Sequence, residues 1–340
     1  MDSENTEKQD GCTETVILES EKDCALFLKK GQLSETPPVP AEELPMTRGA
    51  STRRFTGLFR KALWIPVGLG ALAGVFWALT CLQDFDWDIG HIASGSLWFT
   101  LAMLCWILGF AGTAALMIPA RRVRQYRFPE TGLGETFTGF LAAALFGVHA
   151  LRQVMTAFTT APSSAAAINT AALSKLAAGC LFLAALYFLC VGLGRRGILM
   201  TVLSMGGAVS VMLVLFRDYF QFDLPLNSPV RNLSMLAYAA LLLCFLAETR
   251  VHVDLWYTGV PFTVLANVSV LLLTGAYGLA EVILAIAGYT QFSMIEGAAF
   301  LGTAGLAFFR LKKLPLLIGD HLPPPPTEDE VKKAAKKKQK

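Results

Sequence analysis

His149, Arg152, Glu281 and Glu296 interrupt long apolar stretches of this sequence. A charge in such a stretch is costly and implies a partner or an aqueous cavity. His149 and Arg152 are three residues apart, which puts them on one face of a helix. Arg152 facing Glu281 or Glu296 as an ion pair, with His149 beside it, would form a polar pocket able to hold a small molecule or lipid. The alternative is an ion pair that pins two helices, or long side chains reaching out to the headgroups. His149 is not expected to ligate a metal, because His91 and His252 fall on opposite sides of the membrane.

A second constellation is Phe216-Arg217-Asp218-Tyr219-Phe220, followed by Pro225-Leu-Asn227-Ser-Pro229 and Arg231. Aromatics around an Arg-Asp pair suit the membrane interface, and the two prolines impose a turn. Arg217, Asn227 and Arg231 could cap a cavity as ligand contacts; the competing role is a hairpin that sets two helices.

The run Asp84-Phe-Asp86-Trp-Asp88 puts alternate carboxylates on one face of an extended chain. The calcium-loop pattern fails, since Ile89 stands at the glycine position and Gly95 at that of the bidentate glutamate. Phe85 and Trp87 then read as interfacial anchors. No phosphate loop, H-E-x-x-H, G-x-S-x-G or dinucleotide fingerprint occurs. The seven cysteines have no metal-ligand spacing and read as small apolar residues. These patterns suggest no catalytic residue, no metal and no cofactor, and they point away from an enzyme.

The elements that must position these residues are apolar runs. Hydrophobic residues make up 54% of the chain and charged residues 16%, against roughly 25% charged in soluble domains. About 20 residues span the hydrocarbon core as a helix. Eight runs approach that length: 62–82, 95–118, 137–158, 176–193, 198–216, 233–247, 260–284 and 292–309. The sixth is short and either extends toward Arg250 or lies in a locally thinned region, and the last two are divided by a turn at 288–291. The predicted fold is an all-α integral membrane bundle of about eight transmembrane helices. Phe137-Thr138 and Phe262-Thr263 hint at a four-plus-four repeat, an arrangement that frames sites in transporters.

Short turns on one side of the bundle hold 14 Lys and Arg, against 4 on the other. The positive-inside tendency places both termini in the cytoplasm. The four ionisable residues of the apolar stretches then all lie toward the outer side. Residues 1–60 form an acidic tail ending in a basic juxtamembrane segment. Within 1–52 there are eleven acids and five Lys or Arg, a composition expected to stay disordered. Residues 61–313 are the membrane domain, and 314–340 a Pro-rich spacer with a Lys-rich tail. Those lysines would contact anionic lipid at the bilayer surface. No basic-aromatic pattern suggests a nucleic-acid partner.

Phe216-Arg-Asp-Tyr-Phe through Pro225-Leu-Asn-Ser-Pro229, with Leu241-Leu-Leu-Cys-Phe-Leu-Ala-Glu248-Thr-Arg250, resembles uncharacterised polytopic membrane proteins of Gram-positive bacteria. The resemblance covers the fifth and sixth spans and implies a bacterial cytoplasmic membrane. It implies no activity. The closing Lys337-Lys338-Gln339-Lys340 has the form of a retrieval signal, which would mean an endoplasmic reticulum membrane in a eukaryote. The expected function is binding or transport of a small molecule or lipid from the outer side. A non-catalytic scaffold or sensor working through the cytoplasmic tails is the alternative.

Overall fold

A computed structural model describes residues 59–120, 131–159, 165–195, 197–220, 228–253 and 260–320. All lie within one compact unit, Arg54–Leu322. Asn227, residues 1–58 and residues 321–340 fall outside the described residues, and the last helix continues to Asp320, past the boundary expected at 313. Eight helices are long and apolar enough to cross a membrane. They are α1 (Trp64–Gln83), α2 (Leu97–Ala120), α3 (Leu133–Thr159), α4 (Ala165–Gly192), α5 (Ile198–Phe220), α6 (Pro229–His252), α7 and α8 (Met294–Asp320). Helix α7 is continuous through Val260–Ser269, a π-helical turn at Val270–Thr274, and Gly275–Ile286.

The sixth span extends toward Arg250, the first of its two expected alternatives, and is not short. Its membrane segment runs over Pro229–His252, 24 residues. Pro229 starts the helix, where its missing N–H costs nothing and its fixed φ is already helical. The far end continues past Ala247 because Glu248 and His252 are buried inside the bundle. The turn at 288–291 is present. Gly288 has φ of 94°, a conformation that an L side chain resists.

Helix α3 packs on α4, α4 on α5, α5 on α6, α6 on α7, α7 on α8, and α8 returns to α3. Six helices therefore close a ring. Helices α1 and α2 form a hairpin that packs on α7 from outside the ring. That placement departs from a four-plus-four division, in which α1 and α2 would build a half with α3 and α4. Helix α7 meets both groups and is the most buried span.

Close approach of α7 and α8 needs glycine. A Cβ on Gly278 would stand 2.7 Å from the Gly297 carbonyl oxygen, and the reverse substitution meets the same limit. The π-helical turn frees backbone groups from the regular ladder. The Trp106 indole N–H donates to the Leu272 carbonyl oxygen at 2.8 Å, joining α2 to this turn. The Thr274 hydroxyl donates to the Ala237 carbonyl oxygen at 2.9 Å, joining α7 to α6.

Between α1 and α2, Phe85–Asp86 (β1) and His91–Ile92 (β2) pair antiparallel. Asp86 accepts from the N–H groups of Asp88 and Ile89, and Asp84 accepts from the Ser96 hydroxyl. These two carboxylates thus shape the loop. Trp87 does not simply lie at an interface: it packs on Phe85, Tyr289 and Phe292, tying this loop to the α7–α8 turn.

Candidate functional site

The charge asymmetry of the turns distinguishes an outer from an inner end of the ring. At the outer end, α3, α5, α6, α7 and α8 converge. Arg152 donates to the Ser293 hydroxyl at 2.8 Å. The Ser293 N–H in turn donates to Glu281 Oε2 at 2.7 Å. Arg152 therefore reaches Glu281 through Ser293, rather than through the direct ion pair expected. The physical reason is position: Glu281 is buried in the α7–α8 crossing while Arg152 is exposed at the ring's edge. Ser293, just before α8, stands between them and also accepts from the Glu296 N–H.

Glu296 lies deeper. The Tyr238 hydroxyl donates to its Oε1 at 2.6 Å, and His149 Nδ1 lies 3.9 Å from its Oε2. His149 is 2% exposed, and neither ring nitrogen has a hydrogen-bond partner. A neutral imidazole carries one donor and one acceptor, so both functions are available to a ligand. Arg217 holds Asp218 at 2.7 Å and donates to Gln153 at 2.9 Å, linking α5 to α3.

Arg231 has a different task. Its Nη2 donates to the carbonyl oxygens of Asp218 and Tyr219 at 2.6 and 2.5 Å. These are last-turn carbonyls of α5, which lack intrahelical partners, and a cation there also suits the helix dipole. Arg231 thus fastens the end of α5 to the start of α6, the hairpin role. Six of the seven sequence candidates come together at this end: His149, Arg152, Arg217, Arg231, Glu281 and Glu296. The seventh, Asn227, lies outside the described residues.

Sequence reasoning missed a second cluster at the inner end. Arg310 on α8 bridges Glu135 of α3 at 3.5 Å and Glu248 of α6 at 3.4 Å. Lys313 pairs with Glu135, the Tyr187 hydroxyl donates to Glu248, and His252 Nε2 lies 3.8 Å from Glu248. Glu135, Glu248 and Arg310 are all nearly fully buried. A usable signal existed, since Glu248 directly follows an apolar run and Glu135 stands two residues before one. Starting the third run at Phe137 and ending the sixth at Ala247 concealed that the helices continue through these acids.

By formal charge both clusters balance, with the histidines neutral. Asp218, Glu281 and Glu296 face Arg152, Arg217 and Arg231; Glu135 and Glu248 face Arg310 and Lys313. His149 lies 14 residues beyond Glu135 on α3, and Arg310 lies 14 beyond Glu296 on α8. Both intervals correspond to about 21 Å of helix, within a hydrocarbon core of about 30 Å. Rings fill the space between. Phe146 contacts Phe188 and Phe300 at 5.3 and 6.3 Å between centroids, and Phe188 contacts Phe245 at 5.6 Å.

No protein-family model, curated protein or solved structure matches this chain.

Proposed function

We propose that the protein binds a small polar molecule or lipid headgroup at the outer-end cluster and carries it across the membrane through the six-helix ring. The observation supporting this reading is the pair of charge-balanced clusters inside one ring, parted by an aromatic layer. Mere cohesion gives little reason for such an interior. Well-packed apolar residues of similar volume stabilise a buried site as well as an ion pair does, or better. Intramembrane charges that face a common interior more often mark a substrate or ion path. In this reading His149, with both nitrogens unengaged and Glu296 beside it, takes the ligand's polar group. Arg152 and Glu281, joined through Ser293, stand at the entrance. The resemblance around residues 216–250 favours a bacterial cytoplasmic membrane as the setting.

The test is thiol accessibility. Glu281→Cys, in a background lacking the native cysteines, is treated from outside with a membrane-impermeant maleimide. Met294→Cys, at an exposed position nearby, reports delivery of the reagent. Labelling at 281 that slows when Arg152 is replaced by Trp supports an aqueous entrance shared by the two residues. A site that stays unlabelled while position 294 reacts would mean a dry, packed bundle. The carrier reading then falls, leaving the scaffold or sensor.

A further inference from the structure

On the inner side of the aromatic layer lies a small cavity with room for a water-sized sphere of about 10 Å³. Its walls include Tyr187, Cys244, Glu248, Asn267 and Thr303. Asn267 is 1% exposed. Its Nδ2 donates to the Thr263 carbonyl oxygen at 2.8 Å. A carbonyl can only accept, so the amide orientation is fixed, and Oδ1 is left buried without a partner. An unsatisfied buried acceptor is costly enough that natural interiors rarely retain one.

Two of the other polar walls, Thr303 and Tyr187, give their hydrogens elsewhere and so act as acceptors toward this space. The Thr303 hydroxyl gives its hydrogen to the Phe300 carbonyl oxygen at 2.7 Å, and the Tyr187 hydroxyl gives its own to Glu248 Oε2. The contacts of Arg310 and His252 with Glu248 also fall on Oε2, so Oε1 takes part in none of the three. The cavity therefore offers the unpaired Asn267 Oδ1 and, in the same wall, the Glu248 carboxylate, whose oxygens have lone pairs to spare, and asks for a species that donates twice.

We infer that this cavity binds a single water molecule that bridges Asn267 on α7 to the Glu248 carboxylate on α6. Size agrees, since a water needs roughly 10–15 Å³ by this measure. Charge decides against a small cation such as sodium. Glu135 and Glu248 are already balanced by Arg310 and Lys313, so an added cation would bring an uncompensated charge into a low-dielectric interior. A neutral double donor satisfies both acceptors without that cost. The water extends the chain Lys313–Glu135–Arg310–Glu248 as far as Asn267, next to the π-helical turn of α7. The inference is independent of the carrier reading.

X-ray hydroxyl-radical footprinting of the full-length protein in detergent tests it, because radicals form at bound water and oxidise side chains beside it. Tyr187 and Phe245 are as buried as Phe146, but only the first two line the cavity. In the wild type both should be oxidised well above Phe146. After rapid mixing into ¹⁸O-water, heavy oxygen should enter Tyr187 later than the exposed Tyr219. Asn267→Leu, or Asn267→Val if the first does not fold, should lower Tyr187 and Phe245 to the Phe146 level. Oxidation at that level in the wild type would mean a dry cavity and overturn the proposal. So would rates unchanged in both folded variants. A melting temperature that rises in sodium chloride over choline chloride at equal ionic strength would identify a cation and overturn it as well.

Discussion

Arg310 touches a carboxylate on each of two other helices, at 3.5 Å to Glu135 and 3.4 Å to Glu248. Removing it takes a cation from both acids, of which Glu135 keeps Lys313. Breaking a buried pair from one side costs about 3–5 kcal/mol. Arg310→Met should therefore lower unfolding free energy by that order in a denaturant titration of the detergent-solubilised protein. Adding Glu248→Gln should recover part of the loss, because the orphaned charge goes with it. Arg231→Gln belongs to a milder class. It leaves two last-turn carbonyls of α5 without their charged donor, at about 2 kcal/mol for hydrogen bonds to a charged group. Its effect should appear in stability and leave ligand binding intact, whereas His149→Leu should abolish binding and leave stability nearly unchanged. His149, Arg152, Glu281 and Glu296 were visible in the sequence because each interrupts an apolar run. Tyr187, Tyr238 and Asn267 were not, because tyrosine and asparagine inside a span look the same whether they face lipid, a ring interior or a cavity.

Two backbones that nearly touch set the α7–α8 crossing. A methyl group at Gly278 would fall 2.7 Å from a carbonyl oxygen and 2.8 Å from Phe300 Cβ. Neither is the loose end of a side chain, so the helices must part. Gly278→Ala should cost about 1–3 kcal/mol, the usual range for overpacking, read as a lower melting temperature. Gly68→Ala is the control: its Cβ meets nothing within 4 Å on α1 and should leave stability unchanged or slightly raised. Helix existence was legible in every case, because an apolar run of the right length has few alternatives in a membrane. Helix ends were less so. Glu135 and Glu248 lie within spans that reach from Leu133 and to His252, since partners on α8 neutralise them. Hydropathy alone cannot register a partner contributed by a distant part of the chain.

For the whole molecule, charge asymmetry makes a direct prediction about sidedness. Ile89 in the α1–α2 loop and Ile198 at the start of α5 are both exposed and fall on opposite ends of the bundle. In intact cells a membrane-impermeant thiol reagent should label Ile89→Cys and spare Ile198→Cys; in inverted vesicles the preference should reverse. The reverse pattern in cells would invert the orientation and turn the outer-end cluster toward the cytoplasm. By itself the sequence determined the membrane class, the eight helices and the register of charged turns. Each follows from local quantities: run length against bilayer thickness, and the cost of moving a charge across it. Only the tertiary structure decided that α3 to α8 close into a ring while α1 and α2 stay outside it. The same folding joined Arg310 to acids 175 and 62 residues away in the chain, and left one acceptor of Asn267 unpaired. Lipid tails are as apolar as the helices, so hydrophobicity alone does not choose neighbours. That choice falls to close packing and to buried polar pairs, which no single stretch of sequence records.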